Sequence, residues 1–179
     1  MTLLPTACAI NISGEWDGNG GETSDGGKLD CVTVDDGSSH FLQENYDQDN
    51  INFRFESTPV ASGAIDSITS VQMKFTAQYP YRGSGNDVRL YIDHFPSALA
   101  AENFTIPSIP VWQYVTGAVH TTNSSGGTIS YSDIQGIGLD LKKQGTIGSN
   151  VVRITYVTIE VVYVAAAGTD NAIFFGHNF

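Results

Sequence analysis

The chain of 179 residues is long enough for one domain with a sizeable hydrophobic core, and 41% of its residues are hydrophobic. Its 8 basic and 19 acidic residues give a formal net charge of −11, which argues against binding to nucleic acid or to anionic membrane surfaces. No stretch approaches the roughly 18 consecutive apolar residues of a membrane-spanning helix.

Acidic residues are concentrated near the N-terminus, since ten of the nineteen lie between Glu15 and Asp49. The region of about residues 14–50 is also rich in glycine, which predicts a loop region. Its charge is typical of a solvated face, and the alternatives are a site for a basic partner or for calcium. Residues 17–19 and 47–50 offer oxygen ligands, but neither run has the complete spacing of a calcium loop. We therefore predict no metal and no cofactor.

The two cysteines, Cys8 and Cys31, are predicted to be free thiols, or close enough together for an optional disulfide bridge. Neither has a histidine nearby in the sequence, so a thiol nucleophile has no support. The N-terminus has no Lys or Arg before its short apolar run. This predicts that there is no signal peptide and that the protein is made in the cytoplasm.

Alternation of apolar and polar residues predicts several strands in the first half of the chain. The alternation is weak over residues 1–14 and clear over residues 51–56. The cleanest pattern spans residues 71–79. Its inward-facing residues are Val71, Met73, Phe75, Ala77 and Tyr79. Residues 88–93 alternate in the same way, and the flexible turn at residues 82–87 predicts that the two strands form a hairpin.

The last long apolar stretch, from Val151 to Val164, is predicted to be the central strand of the fold. Nearly all its residues are β-branched or aromatic, the types that suit a pleated surface. Its alternation changes phase, because Ile154 belongs to one set and Ile159 to the other. A bulge near Tyr156–Val157 would direct both sets toward one core. Residues 137–142 are predicted to pair with this strand in a second hairpin.

Short strands at regular spacing, few helical periods and many Gly, Ser, Thr and Asn residues predict an all-β fold. We interpret it as an antiparallel β-sandwich of jelly-roll type that forms a single domain over residues 1–179. Residues 111–115 add a strand, and residues 132–135 suggest a short turn. The residues expected between the two sheets are Met73, Phe75, Leu90, Ile92, Leu139, Ile154 and Ile159.

No familiar catalytic pattern occurs in the sequence. The four histidines lack metal-ligand spacing and are predicted to be solvated; they are His40, His94, His120 and His177. A glycosidase needs paired carboxylates, but Glu15 and Asp17 fall in a Gly-rich loop, and Glu160 is alone on its strand. We therefore predict no catalytic residue and no enzymatic activity.

Aromatic residues outside the predicted core make a carbohydrate-binding or adhesion module the alternative function. Tyr81 and Tyr91 fall on the outward phase near the first predicted hairpin, and Trp16 lies in the Gly-rich region. Sugar stacking needs only a few exposed rings. These three residues are therefore the candidate ligand-stacking residues.

The C-terminal tail, residues 168–179, carries three phenylalanines in its last six residues. Its large apolar residues are Ile173, Phe174, Phe175 and Phe179. They either form a final edge strand packed on the chain's own core or an arm that docks on a neighbouring subunit. Because exposed apolar surface of this kind usually marks an interface, these four residues are the candidate interface.

The segments Ser130–Leu141 and Val152–Tyr163 resemble the closing hairpin of sandwich modules in bacteriophage structural proteins, and the pattern extends over residues 66–164. Such modules occur in head-decoration and tail-associated proteins. The resemblance implies a virion component without catalytic residues, made in the host cytoplasm and assembling with itself and with other virion proteins. The function expected from the sequence is therefore that of a capsid decoration or tail-associated protein, with carbohydrate binding as the alternative.

Overall fold

The structure is a computed structural model. It describes residues 1–3, 5–10, 16–18, 33, 41–44, 50–55, 60–78, 88–95, 99–107, 109–135, 137–144 and 151–167. The acidic region of residues 14–50 lies mostly outside these ranges. The tail of residues 168–179, with its candidate interface, lies wholly outside them.

Within the described ranges the chain forms eleven β-strands, and helical structure is confined to two short turns and Thr33. The strands are β1 (Thr2–Leu3), β2 (Pro5–Ile10), β3 (Trp16–Gly18), β4 (Leu42–Glu44), β5 (Asn50–Phe55), β6 (Ile65–Gln78), β7 (Val88–Phe95), β8 (Glu102–Ile106), β9 (Gln113–Thr116), β10 (Gly138–Gln144) and β11 (Val152–Ala165). A 3-10 turn at Ser62–Ala64 precedes β6, and the α-helical turn α1 (Tyr131–Ile134) precedes β10.

The strands belong to two sheets in which every pairing is antiparallel. The six-stranded sheet has the order β3–β4–β11–β6–β9, with β1 also paired to β11. The five-stranded sheet has the order β2–β5–β10–β7–β8. The prediction of an all-β, antiparallel fold is confirmed.

Strand β11 is central to the six-stranded sheet, because it pairs with β6 on one side and with β4 and β1 on the other. Its register with β6 shifts between Thr155 and Thr158, and Tyr156 has a φ angle of 48°. Ile154 before the shift and Ile159 after it are both fully buried. The bulge predicted from the change of phase is therefore confirmed, since the inserted residue turns both sets of side chains to the same face.

The buried core draws side chains from both sheets. Five predicted core residues are buried: Met73, Phe75, Leu90, Ile154 and Ile159. Phe75 on β6 contacts Phe104 on β8 edge to face, with ring centroids 5.3 Å apart, so the two sheets touch through aromatic side chains. Ile92 lies on β7 and Leu139 on β10, but their side chains fall outside the described part of the structure.

The two predicted hairpins are wrong. Strand β6 pairs with β11 and β9, whereas β7 lies in the other sheet between β10 and β8. Strand β10 likewise pairs with β5 and β7 and makes no pairing with β11. Alternation of residues determines which face of a strand is buried, but it carries no information about the neighbouring strand.

The predicted turn at residues 132–135 is a single helical turn closed by a capping box. The Ser130 hydroxyl accepts a hydrogen bond from the Asp133 N–H at 3.3 Å, and the Asp133 Oδ2 atom accepts one from the Ser130 N–H at 2.7 Å. Partial burial acts to raise the pKa of Asp133, but the hydrogen bonds from Ser130 outweigh it and hold that pKa below its usual value. The cap fixes the turn that places Ile134 in the core.

An ion pair links the two central strands on the face of the sheet that points away from the core. The Lys74 ammonium on β6 donates to the Glu160 carboxylate on β11. The hydrogen bond to Glu160 raises the pKa of Lys74, and the same bond lowers the pKa of Glu160. Because both side chains are partly exposed, solvent screens the pair and its contribution to stability is small.

We expect Glu160→Gln to lower the free energy of unfolding only at pH values at which the Glu160 carboxylate and the Lys74 ammonium are both charged. The lowered pKa of Glu160 means that its contribution is complete above the ordinary value of 4.5 and is lost as pH falls through the folded-state pKa. The raised pKa of Lys74 means that its contribution to stability is complete below the ordinary lysine pKa of 10.5 and is lost as the pH rises through the folded-state pKa. Urea unfolding at neutral pH and beyond both limits measures the difference. Asp66→Asn, at an exposed site on β6, the strand of Lys74, is the control, and an equal difference at every pH would contradict the assignment.

Candidate functional site

An apolar strip lies at one edge of the six-stranded sheet. Among the described residues β9 pairs with β6 alone, so it is an edge strand. Four large apolar side chains on β9 and its flanking segments are highly exposed: Ile109 47%, Val111 60%, Tyr114 60% and Val119 58%. We call residues 109–119 the β9 edge. An exposed apolar edge strand is what soluble proteins usually avoid, because it invites pairing with another chain.

The β9 edge has none of the charges that normally protect such strands. Although the chain contains 27 charged residues (8 basic and 19 acidic), none of them lies between Asn103 and Ser132. Natural edge strands are commonly protected by charged side chains, lysine above all. Depletion of charge is also a feature of the buried centre of protein interfaces. The β9 edge therefore combines two features of an interaction surface.

The backbone on the outer side of β9 is arranged for pairing. The Gly117 N–H donates to the Met73 carbonyl at 2.8 Å, which makes these two residues a hydrogen-bonded pair. Bonded and non-bonded pairs alternate along an antiparallel ladder, so Val115 and Gln113 also bond to β6. Tyr114 and Thr116 lie at the alternate positions and direct their N–H and C=O groups away from β6.

Beyond Thr116, a carboxylate on the other sheet holds the chain in place. Glu102 on β8 accepts a hydrogen bond from the Ala118 N–H at 2.6 Å through Oε2, and its Oε1 atom lies 2.8 Å from His120 Nε2. The Glu102 and His120 side chains are each only 9% exposed. His120 also exchanges two backbone hydrogen bonds with Val71 on β6. Glu102 thus ties the edge of the five-stranded sheet to the edge of the six-stranded sheet.

Gly117 leaves room for this contact, because the carboxylate approaches its backbone closely. A Cβ atom at position 117 would lie 2.8 Å from Glu102 Oε2 and 3.2 Å from the Met73 carbonyl oxygen. The Gln72 side chain donates to the Gly117 carbonyl at 2.9 Å. Between Gly117 and His120 the chain advances three residues against two on β6, so a bulge limits the regular open edge to β9.

The other end of β9 is anchored by an aromatic and cationic cluster. Trp112 packs against Phe41 with ring centroids 6.0 Å apart, and the Arg153 guanidinium lies 4.4 Å from the centre of the Phe41 ring. Arg153 also donates to the Gln43 side chain at 2.8 Å. Trp112 is half-buried in this cluster, so it serves packing. β9 is therefore held at both ends while its outer edge lies in solvent.

The predicted ligand-stacking residues are not brought together by the described strands. Trp16 lies on β3 in the six-stranded sheet, and Tyr91 lies on β7 in the other sheet. The side chains of both residues, and Tyr81 entirely, fall outside the described part of the structure.

Of the three carboxylates considered as glycosidase candidates and rejected in the sequence, one has a described side chain, and it has a structural partner. Glu160 is paired with Lys74, and its lowered pKa is the opposite of what a general acid needs. Asp17 lies on β3 with only its backbone described, and Glu15 lies outside the described ranges. In the part of the chain that the structure covers, no group of three His, Cys, Asp or Glu residues could hold a metal ion. No helix among the described residues is long and apolar enough to cross a membrane.

The prediction that the histidines are solvated is wrong for His120, whose side chain is buried against Glu102. Glu102, Gly117 and His120 were missed because their residue types and spacing match no familiar motif. One sequence signal was available for the β9 edge: the charge-free segment from Asn103 to Ser132 in an otherwise acidic chain.

A cleft of about 350 Å³ lies between the start of β6 and the segment that leads into α1. Its lining combines a carboxylate, hydroxyl groups and apolar side chains: Ile65, Asp66, Ser67, Ile68, Thr128, Ile129, Ser130 and Tyr131. The Tyr131 hydroxyl donates to the Val60 carbonyl at 3.1 Å, which fixes the ring beside the cleft.

No family model and no curated protein sequence matches the chain. Among solved structures, the enzymatically active domain of tailspike protein 4 from bacteriophage CBA120 is similar, with a TM-score of 0.40 and 12% sequence identity. The similarity covers 73% of this chain and 17% of the tailspike chain. A phage tailspike domain is therefore a weak structural neighbour, and a likeness at this level assigns no activity.

Proposed function

We propose that this protein is a non-catalytic structural component of a bacteriophage particle, a capsid decoration or tail-associated protein that assembles by self-association. The observation that carries self-association is the exposed, uncharged β9 edge. The virion context comes from the resemblance of residues 66–164 in strand pattern to phage sandwich modules, although Ser130–Leu141 and Val152–Tyr163 do not form the closing hairpin of those modules. The localisation that follows is the virion, with other virion proteins as further partners.

Self-association suits the charge distribution of the chain. Two copies that each carry a formal charge of −11 repel one another over most of their surfaces. A surface without charges is where this repulsion is least. A basic partner would instead be attracted to the acidic regions of the chain, so the neutral β9 edge favours a second copy.

The fold proposed for this component is a β-sandwich of jelly-roll type. Two antiparallel sheets that contribute side chains to one buried cluster support the sandwich, as does the contact between Phe75 and Phe104. The switch of the chain from β6 in one sheet to β7 in the other supports the jelly-roll topology.

A structural role without catalysis is supported by how the described carboxylates are used. Glu160 is ionised in a pair with Lys74, and both oxygens of Glu102 are engaged by the β9 edge. These contacts hold strands together. Turnover of a glycoside by any preparation of the pure chain would contradict this part of the proposal.

We expect Val111→Lys and Val119→Lys each to weaken self-association strongly, because each places a charge on the β9 edge. Val164→Lys is the matched control, since Val164 is similarly exposed (50%) but lies at the end of β11. Analytical ultracentrifugation over a range of concentrations gives the association state, and urea unfolding verifies that the variants fold. Equal association of all three variants would contradict the role of the β9 edge.

Mass spectrometry of purified particles tests the virion assignment separately by the presence and copy number of the chain.

Carbohydrate binding is the second candidate function, favoured by the cleft beside α1. Hydroxyl groups, the Asp66 carboxylate and the Tyr131 ring are the groups that bind a neutral saccharide. We expect saccharides to shift the NMR signals of residues lining the cleft, and Asp66→Asn to reduce the shift. A glycan panel that leaves these signals unchanged would eliminate this candidate.

A further inference from the structure

We propose that β9 of one molecule pairs antiparallel with β9 of a second copy across a two-fold axis, joining the two six-stranded sheets into one continuous sheet. This inference rests on the proposed self-association and names its partner and its geometry. The pairing uses the backbone of β9 directly, as in strand addition to a sheet edge.

The open hydrogen-bonding groups of β9 determine the register. Tyr114 and Thr116 direct their N–H and C=O groups outward, while Val115 between them bonds to β6. A two-fold axis at Val115 places Tyr114 of one copy opposite Thr116 of the second copy, and Thr116 opposite Tyr114. Both of these pairs are then hydrogen-bonded pairs, so all the outward groups of the two residues find partners. A shift of one residue in the register would leave some of them unpaired.

Side chains on the outer face of the sheet are compatible with this register. Tyr114 lies opposite Thr76, and Thr116 lies opposite Lys74, so both β9 residues are on the outer face. In the pair of copies each Tyr114 ring lies beside a Thr116 side chain, and aromatic residues pair well with β-branched residues across strands. The contact is isologous, since the same residues act on both sides and the symmetry closes.

The ends of β9 favour a second copy over an unrelated strand. The bulge at residues 117–120 and the cluster around Trp112 leave only a short regular edge between them. A partner must therefore offer an equally short, uncharged edge strand, which a second copy of this chain provides. The fixed ends also reduce the conformational entropy that is lost on pairing, because β9 already has the extended conformation of a paired strand in the single molecule.

Residue-resolved amide exchange tests the pairing on the full chain. With increasing protein concentration we expect the exchange of the Tyr114 and Thr116 amides to slow by roughly tenfold or more, because both become donors to the second copy. The Val115 amide, bonded to β6 within one molecule, is the internal control and should be protected at every concentration. If the chain associates while Tyr114 and Thr116 exchange at the rate of the monomer, the pairing is overturned and self-association stands. A chain that is monomeric at every concentration overturns both.

Charge substitutions test the register. Tyr114→Lys and Thr116→Glu are each expected to raise the dissociation constant by roughly tenfold or more, since each introduces a charge into a contact between two β9 strands that carry none. The double variant Tyr114→Lys/Thr116→Glu places opposite charges against each other twice and should recover most of the lost affinity. Thermal unfolding of dilute protein verifies that all three variants fold. A folded double variant that associates no better than the single variants overturns the register.

Discussion

Phe75→Ala is expected to lower the free energy of unfolding by about 3–5 kcal/mol, the range found for truncation of a fully buried phenylalanine. Phe75 is 0% exposed and lies on β6, which is flanked by β11 and β9 in the sheet. Its ring also contacts Phe104 from the other sheet. The substitution therefore removes packing within one sheet and between the two sheets, and leaves a cavity that neighbouring strands can fill only in part.

Urea unfolding at neutral pH measures this loss, and Tyr114→Ala in dilute protein is the matched control. Tyr114 lies on the adjacent strand but is 60% exposed, so its truncation should change stability by less than about 0.5 kcal/mol. Combining Phe75→Ala with Phe104→Ala should give a non-additive loss, with a coupling of about 0.5–1.5 kcal/mol for an aromatic pair. A loss below about 1 kcal/mol for Phe75→Ala would contradict the central position of β6.

The burial of β6 and β11 follows from their sequences because a strand has a side-chain period of two. Val71, Met73 and Phe75 are buried as the alternation predicts. The phase change in β11 predicts the bulge for the same reason, because two sets of apolar residues can face one core only if a residue is inserted. These features depend on local pattern alone.

The neighbours of each strand did not follow from the sequence. Turn-like residues between β6 and β7 suggested a hairpin, but the two strands belong to different sheets. Pairing between strands distant in sequence depends on how whole faces pack, and several topologies satisfy the same alternation. The pairing of β11 with both β1 and β4 is of this kind.

The contacts of the candidate site could not be predicted from the sequence for a related reason. The Glu102 carboxylate reaches His120 only because β8 and β9 are the edge strands of two sheets whose edges lie side by side. A prediction of that contact requires the topology first. The charge-free segment from Asn103 to Ser132, in contrast, is visible without any structure and indicates where the acidic chain leaves a neutral surface.

Gly117→Ala is expected to lower the free energy of unfolding by about 1–3 kcal/mol, because the added methyl group overpacks a filled site. The new Cβ atom would lie 2.8 Å from Glu102 Oε2 and 3.0 Å from Oε1. Relief would require the carboxylate to move away from the Ala118 N–H and from His120. The substitution therefore tests the contact that joins the two sheet edges.

A double-mutant cycle with Glu102→Ala separates this contact from a general effect on the backbone. Glu102→Ala alone should cost about 1–3 kcal/mol, because the Ala118 N–H and His120 lose their acceptor. Glu102→Ala removes the two nearest of the three atoms closest to a methyl group at position 117 and leaves the Met73 carbonyl oxygen at 3.2 Å, so the double variant should be more stable than the sum of the two losses implies. Gly63→Ala is the matched control, since no atom lies within 4 Å of its added Cβ, and it should be nearly neutral. Additive losses in urea unfolding would mean that Gly117 is needed for its backbone alone and that Glu102 does not hold the β9 edge through it.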